Sequence, residues 1–254
     1  MAGAAVVFEP GGYRYLPAVM QYSAGVVAQP GYAIERAQFG RALPLDEGFA
    51  AAEAFLKARD RAPTAFCACE LRSPAPFTEQ GFATFNRQYV TTLERWGVYR
   101  DGVNPVARTN VCPVIDPPST PSLYAFSYTV PTAARRDEPA FVVAGSGETR
   151  EGGASYRESI VALGDVSING LRRKVRHVVG EMERRLAALG VAAKDVAFCN
   201  AYTAHDVGPL LRSEIFEHGF ARDGLILQLC LPPVVDLEFE MDVRRTATEF
   251  LIGG

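Results

Sequence analysis

Hydrophobic and polar positions alternate along this chain with two different periods, and the order of the periods is the first clue to its architecture. Residues 22–27 and 32–39 read as short strands parted by the Gln29-Pro30-Gly31 turn, which together predict a hairpin. Phe49, Ala52, Phe55 and Leu56 recur at helical spacing behind Asp46 and predict a helix over residues 45–59. A strand follows over 64–71, then a second helix over 78–96 with Phe82, Phe85, Tyr89 and Leu93 on one face. Residues 104–130 read as strand, proline-rich turn, strand, with Pro117, Pro118 and Pro121 breaking the chain between them.

Residues 132–139 are charged and turn-rich, as in a linker, and after them the order begins again. An apolar strand over 140–145 runs into Ser146-Gly147-Glu148, and a polar loop spans 150–159. Leu171, Val175, Val178, Met182, Leu186 and Leu189 predict the strongest helix of the chain, ended by Gly190. A strand over 196–203, a short helix over 206–218 and strands over 225–231 and 235–243 complete the pattern. Short matches recur in the same order in both halves. Ala65-Phe66-Cys67-Ala68 parallels Ala197-Phe198-Cys199-Asn200, and Ala107-Arg108 precedes Pro117-Pro118 as Ala221-Arg222 precedes Pro232-Pro233. The expectation is an internal duplication, with domains over 1–131 and 132–254. Each is an α+β unit whose two helices cover one face of a sheet.

Composition narrows the function classes. The 254 residues are 48% hydrophobic and 22% charged, enough to build a core without covalent staples. The net charge of −3 gives no general attraction to nucleic acid or anionic lipid, and no apolar run reaches membrane-spanning length. Five cysteines at 67, 69, 112, 199 and 230 lack the spacing of a zinc site and suit buried positions in a reducing cytoplasm. Among candidate chemical groups, Arg108 stands at a strand entrance, where a planar guanidinium can grip both oxygens of a small carboxylate. Glu238 and Glu240 alternate with Leu237, Phe239 and Met241 on the last strand. His177, among Arg172, Arg173, Lys174 and Arg176, reads as part of a solvated basic helix face.

The chain resembles the Rid family, also called the YjgF family. In the first half the resemblance rests on Tyr22-Ser23-Ala24-Gly25-Val26-Val27-Ala28, on the helix segment Phe82–Tyr89 with Asn86 and Tyr89 three apart, and on Pro105-Val106-Ala107-Arg108-Thr109-Asn110-Val111. In the second it rests on residues 141–148, on the long helix, and on Leu231-Pro232-Pro233 through Leu237-Glu238-Phe239-Glu240. The resemblance implies two tandem chorismate-mutase-like domains, each a mixed sheet with two helices on one face. It implies homotrimers with ligand clefts between domains, and hydrolysis of an enamine or imine of a small carboxylic acid to the keto acid and ammonia, with no metal or organic cofactor. It places the family's tyrosine and arginine at Tyr22 and Arg108, and its serine and glutamate at Ser146 and Glu238. On this reading neither half has a full set, and the two together do. Arg36 would take a second carboxylate, as in an aminomuconate-like diacid, and Tyr124 and Cys112 would line the pocket. A chorismatase-like hydrolase acting on a small dicarboxylate and a non-catalytic metabolite-binding protein are the alternative readings.

Overall fold

The computed structural model describes residues 4–133, 139–150 and 155–253. Most of the expected linker, and the middle of the polar loop over 150–159, lie outside the described residues. The strands are β1 (Val6–Phe8), β2 (Tyr13–Leu16), β3 (Gly25–Ala28), β4 (Tyr32–Pro44), β5 (Phe66–Arg72), β6 (Ala107–Pro113), β7 (Ser122–Pro131), β8 (Phe141–Gly147), β9 (Phe198–Thr203), β10 (Ile226–Gln228), β11 (Cys230–Leu231), β12 (Phe239–Arg245) and β13 (Thr248–Ile252). The helices are α1 (Leu45–Lys57), α2 (Glu79–Arg95), α3 (Tyr156–Ser159), α4 (Ile168–Leu189) and α5 (Gly208–Glu214).

The strands form two sheets. One has the order β1-β2-β3-β8-β12-β9-β10, the other β11-β6-β5-β7-β4-β13. Each therefore has the mixed α+β character expected of a Rid-like unit, with β5 and β6 parallel in one and β9 and β10 parallel in the other. The sheets exchange strands between the halves of the chain. β1, β2 and β3 complete the second-half sheet, and β11 and β13 complete the first-half sheet. This overturns the hairpin expected over residues 22–39. β3 pairs with β2 and β8, whereas β4 pairs with β7 and β13. The Gln29-Pro30-Gly31 turn is a crossing from one sheet to the other. The expected strand over 225–231 likewise divides, β10 joining β9 and β11 joining β6.

Helices cover the outer face of each sheet. Against the six-stranded sheet, α1 and α2 bury Phe49, Phe66, Phe85, Tyr89, Trp96 and Phe126 in one apolar cluster. Against the seven-stranded sheet, α4 and α5 bury Leu171, Val178, Met182, Leu210, Phe239 and Met241 in another. Local chemistry sets the helix ends. The Thr78 hydroxyl accepts the Gly81 N–H before α2, Ser167 does the same for Gly170 before α4, and Gly190 ends α4 at φ 82°.

The inner faces of the sheets meet in a layer that is only partly apolar. Tyr13, Val26, Ile34, Ala107 and Ala144 form its greasy end. Elsewhere the layer is charged. Arg36 on β4 makes a two-pronged pair with Glu70 on β5 at 2.6 and 3.0 Å and reaches Glu249 on β13 at 3.3 Å. Arg244 on β12 meets the same Glu249 at 2.8 Å, tying the sheets together. Asp242 on β12 accepts from Thr109 on β6, and from Asn200 and Tyr202 on β9. All five cysteines are free and buried, and among the described residues no helix is long and apolar enough to cross a membrane.

Candidate active site

A cleft opens where β6 and the start of α2 face the end of β8 and the start of β12. Tyr22, Phe82, Arg108, Asn110, Gly145, Gly147, Thr149, Pro233, Val234, Leu237 and Glu240 line it. It draws on both halves of the chain.

Arg108 is 4% exposed. Its guanidinium carbon lies 4.7 Å from the Tyr89 ring centre, 5.2 Å from Tyr22, 5.5 Å from Phe82 and 5.7 Å from Phe85. Its Nη1 donates to Asn86 Oδ1 at 2.8 Å. Asn86 is buried in the otherwise apolar face of α2, so the helix supplies an acceptor that aims the guanidinium without neutralising it. Among the described residues no carboxylate lies within ion-pair distance of Arg108. A buried cation without a counter-ion is costly, and its aromatic surround recovers only part of that cost. Such a group is poised to take an anion from solution.

Glu240 supplies the cleft's acid. It is 4% exposed, and among the described residues nothing hydrogen-bonds its carboxyl. Burial, reinforced by the negative charge of Asp242, raises its carboxyl well above the usual range; Arg108 opposes this without reversing it. A carboxyl raised in this way keeps its proton to higher pH than an ordinary one, which suits it to donate a proton. Gly145 makes room for it. A Cβ built there would overlap the Glu240 carboxyl and crowd Thr109. Beneath the cleft the fully buried Arg185 of α4 donates to the carbonyls of Ala144 and Gly145 at 3.0 and 3.4 Å, holding the end of β8 in place.

A buried charge pair fixes the start of β12. Lys174 and Glu148 are both fully buried and meet at 3.1 Å. The Glu148 carboxylate also accepts the backbone N–H of Glu238 at 2.6 Å and of Phe239 at 3.0 Å. Lys174 is thus no part of a solvated basic face, as its neighbours in sequence suggest. It packs along the margin of the apolar stripe of α4.

Of the residues singled out in the sequence, the cleft gathers Tyr22 and Arg108. Ser146 turns to the helix side of β8, where its hydroxyl lies 3.3 Å from Arg185 Nη2. The Glu238 carboxylate pairs with His205 Nε2 at 2.7 Å, while Glu240, two residues on, enters the cleft. Arg36 is occupied by Glu70 and Glu249 between the sheets. Tyr124 stacks under Arg72, 4.1 Å from the guanidinium carbon, in a separate open groove with Pro117, Gln228 and Cys230. Cys112 pairs with Leu231 of β11 and does not line the cleft; burial pushes its thiol up to about 12. Asn110 and Gly145 are lining residues that lie within the quoted motifs without having been given a role, and Thr149 lies just beyond one. Asn110 carried a signal, as a polar residue amid a strand that otherwise reads as buried.

The fold and this cleft define a tandem YjgF-like α+β protein, in which an arginine without an acidic partner among the described residues and a buried carboxyl line one cleft. Residues 5–250 match the family model described as 2-aminomuconate deaminase CnbZ, and the chain belongs to that family. It is 53% identical over 248 residues to the 2-amino-5-chloromuconate deaminase of Comamonas testosteroni, covering 98% of this chain and 99% of that one. Among solved structures it is similar to a chorismatase at 12% identity and a TM-score of 0.46, covering 96% of this chain and 79% of the other. The YjgF gene product of E. coli gives 10% identity and a TM-score of 0.32, covering 42% of this chain and 80% of its own.

Proposed function

We propose that this protein is a hydrolytic deaminase that converts the enamine of a 2-aminomuconate-like diacid to the oxo diacid and ammonia. Family membership and the near full-length relative support the reaction class. The observation that carries the reading to named residues is the buried Arg108, without an acidic partner among the described residues, sharing a cleft with the buried carboxyl of Glu240, which burial raises well above the usual range.

In this reading the Arg108 guanidinium takes the carboxylate next to the amino-bearing carbon, both oxygens at once. Tyr22, Phe82 and Leu237 wall the conjugated chain and exclude bulk water. Glu240 gives its proton to the enamine carbon, and the electron pair of the amino nitrogen forms the C=N bond of an iminium. The carboxylate so formed takes a proton from water as the water oxygen bonds to the iminium carbon, giving a carbinolamine. A proton passes to nitrogen, the C–N bond breaks, and ammonia leaves as the hydroxyl becomes the new carbonyl. One water is consumed and the acid is regenerated. Held geometry and matched proton transfer are the sources of rate here.

The test is ammonia release from freshly generated 2-aminomuconate. The wild type releases ammonia, Arg108→Ala loses at least about 100-fold in kcat/KM, as for removal of a charged hydrogen-bonding group, and Glu240→Gln loses kcat. Undiminished turnover in Arg108→Ala would overturn the reading. The assembly proposed with it is a homotrimer in the cytoplasm, supported by the free buried thiols and by the apolar Val114, Ile115, Ile226, Leu227 and Leu229 exposed around the open edges of β10 and β11. Light scattering on the 27.5 kDa chain decides it, a mass other than three chains removing the trimer.

A further inference from the structure

Two polar atoms in the cleft are buried and unpartnered. Among the described residues, the Nδ2 of Asn110 and the Oγ1 of Thr149 have no hydrogen-bond partner. Both side chains line the same cavity as Arg108 and Glu240. Buried donors of this kind are uncommon in folded proteins, because leaving one unmade costs more than making it gains.

The surroundings show that neither atom is idle by accident of a loose chain. Asn110 is 3% exposed, and the Ser73 hydroxyl donates to its Oδ1 at 2.9 Å, which fixes the amide and leaves Nδ2 as the free donor. Thr149 is pinned through its backbone, its N–H donating to the Gly147 carbonyl at 2.9 Å and its own carbonyl lying 3.3 Å from His177 Nε2. Only its hydroxyl is left over. Arg108 and Asn110 are two residues apart on β6, so they share one face of the strand with their Cα atoms about 7 Å apart. Both therefore offer donors to the same cleft from one strand face. Glu240 lines the same cleft.

We propose that Asn110 Nδ2 and Thr149 Oγ1 form a second anchor, for the carboxylate remote from Arg108, so that this cleft selects diacids over monoacids. The inference rests on the deaminase reading for the identity of the substrate. It replaces Arg36, already occupied by Glu70, as the source of the second contact. Neutral donors suffice there, since the anchor needs to discriminate a carboxylate from a methyl group and the charge at the other end is met by Arg108.

The experiment compares binding of muconate and sorbate by calorimetry. The two are conjugated six-carbon acids that differ in a terminal carboxylate against a methyl group, and neither carries the amino group of the reaction. The wild type binds muconate about 10- to 100-fold tighter than sorbate, as expected for hydrogen bonds to a charged group. Asn110→Ala and Thr149→Val each shrink that ratio by at least about 10-fold, and Asn110→Asp, which turns the amide toward a carboxylate, reverses it. Equal affinities in the wild type, or an unchanged ratio in both Thr149→Val and Asn110→Ala with native circular dichroism, would overturn the second anchor. Failure of the deaminase reading is distinguishable, because it shows as absent ammonia release while the muconate preference stands.

Discussion

Arg108 and Glu240 set a conflict between stability and use that can be measured. Burial keeps the Glu240 carboxyl protonated well above its usual range. The unfolded chain ionises this group near pH 4.3, the folded one only at higher pH. Folding is therefore unpenalised below pH 4.3 and loses stability as pH rises from there toward the folded value. Glu240→Gln keeps the shape without the ionisation, so its stability relative to the wild type should be greater at pH 8 than at pH 4. Urea titrations at the two pH values check this; an equal difference at both would show that Glu240 is ionised in the native state. The sequence could bring the search to Glu238 and Glu240 but not choose between them, since a period of two puts both on one face. The choice is made by partners distant in the chain. Glu148 clamps the backbone at 238 and 239, and His205 takes the Glu238 carboxylate before the strand begins.

Among the elements, the two long helices were legible almost to their ends, because 3.6-residue periodicity and side-chain caps are local signals. Their polar insertions were not. Lys174 and Arg185 sit at the margins of the α4 stripe, where a long basic side chain reads as solvated, yet both are fully buried. Which one a basic residue becomes depends on whether a carboxylate or a row of carbonyls lies beneath it, and that is tertiary information. Removing one partner of a buried pair leaves an uncompensated charge. Lys174→Met should therefore cost about 3–5 kcal/mol in denaturant unfolding and loosen the start of β12. The double variant with Glu148→Gln should recover part of the loss; a single variant that unfolds at the wild-type midpoint would show that the pair does not hold this strand. The strands were less legible than the helices. β1, β2 and β13 are short and weakly patterned, and the apolar run at 225–231 hid a change of sheet.

At the scale of the molecule, the duplication was visible in the order of elements, while the exchange of strands between sheets was not, because pairing partners leave no mark in a single sequence. The charged layer that joins the sheets makes the assembly acid-sensitive. Burial would raise the Glu70 carboxyl, but Arg36, with Arg244 and Arg72 behind it, outweighs burial and brings it down to about 2. Glu249 is likewise lowered, its burial outweighed by Arg244 and Arg36. Groups depressed in this way stabilise the fold above pH 4.3 and lose their contribution as pH falls toward 2. Unfolding free energy should decline through that window, with a shallower decline in Glu70→Gln, which is already less stable at pH 7. A parallel decline in the two proteins would remove Glu70 as the cause.

The exchanged strand β13 has a consequence for how the molecule comes into being. Arg36 on β4 and Glu249 on β13 are 213 residues apart, yet they share one ion cluster. A ribosome releases β4 long before β13, so the six-stranded sheet of a growing chain waits with one border open until the last strand arrives. An unpaired border is where chains in a crowded cell stick to one another. The half synthesised first is thus the one finished last. Stalled or shortened products that lack residues 248–252 would expose the flank of β4, not the sheet built later around α4.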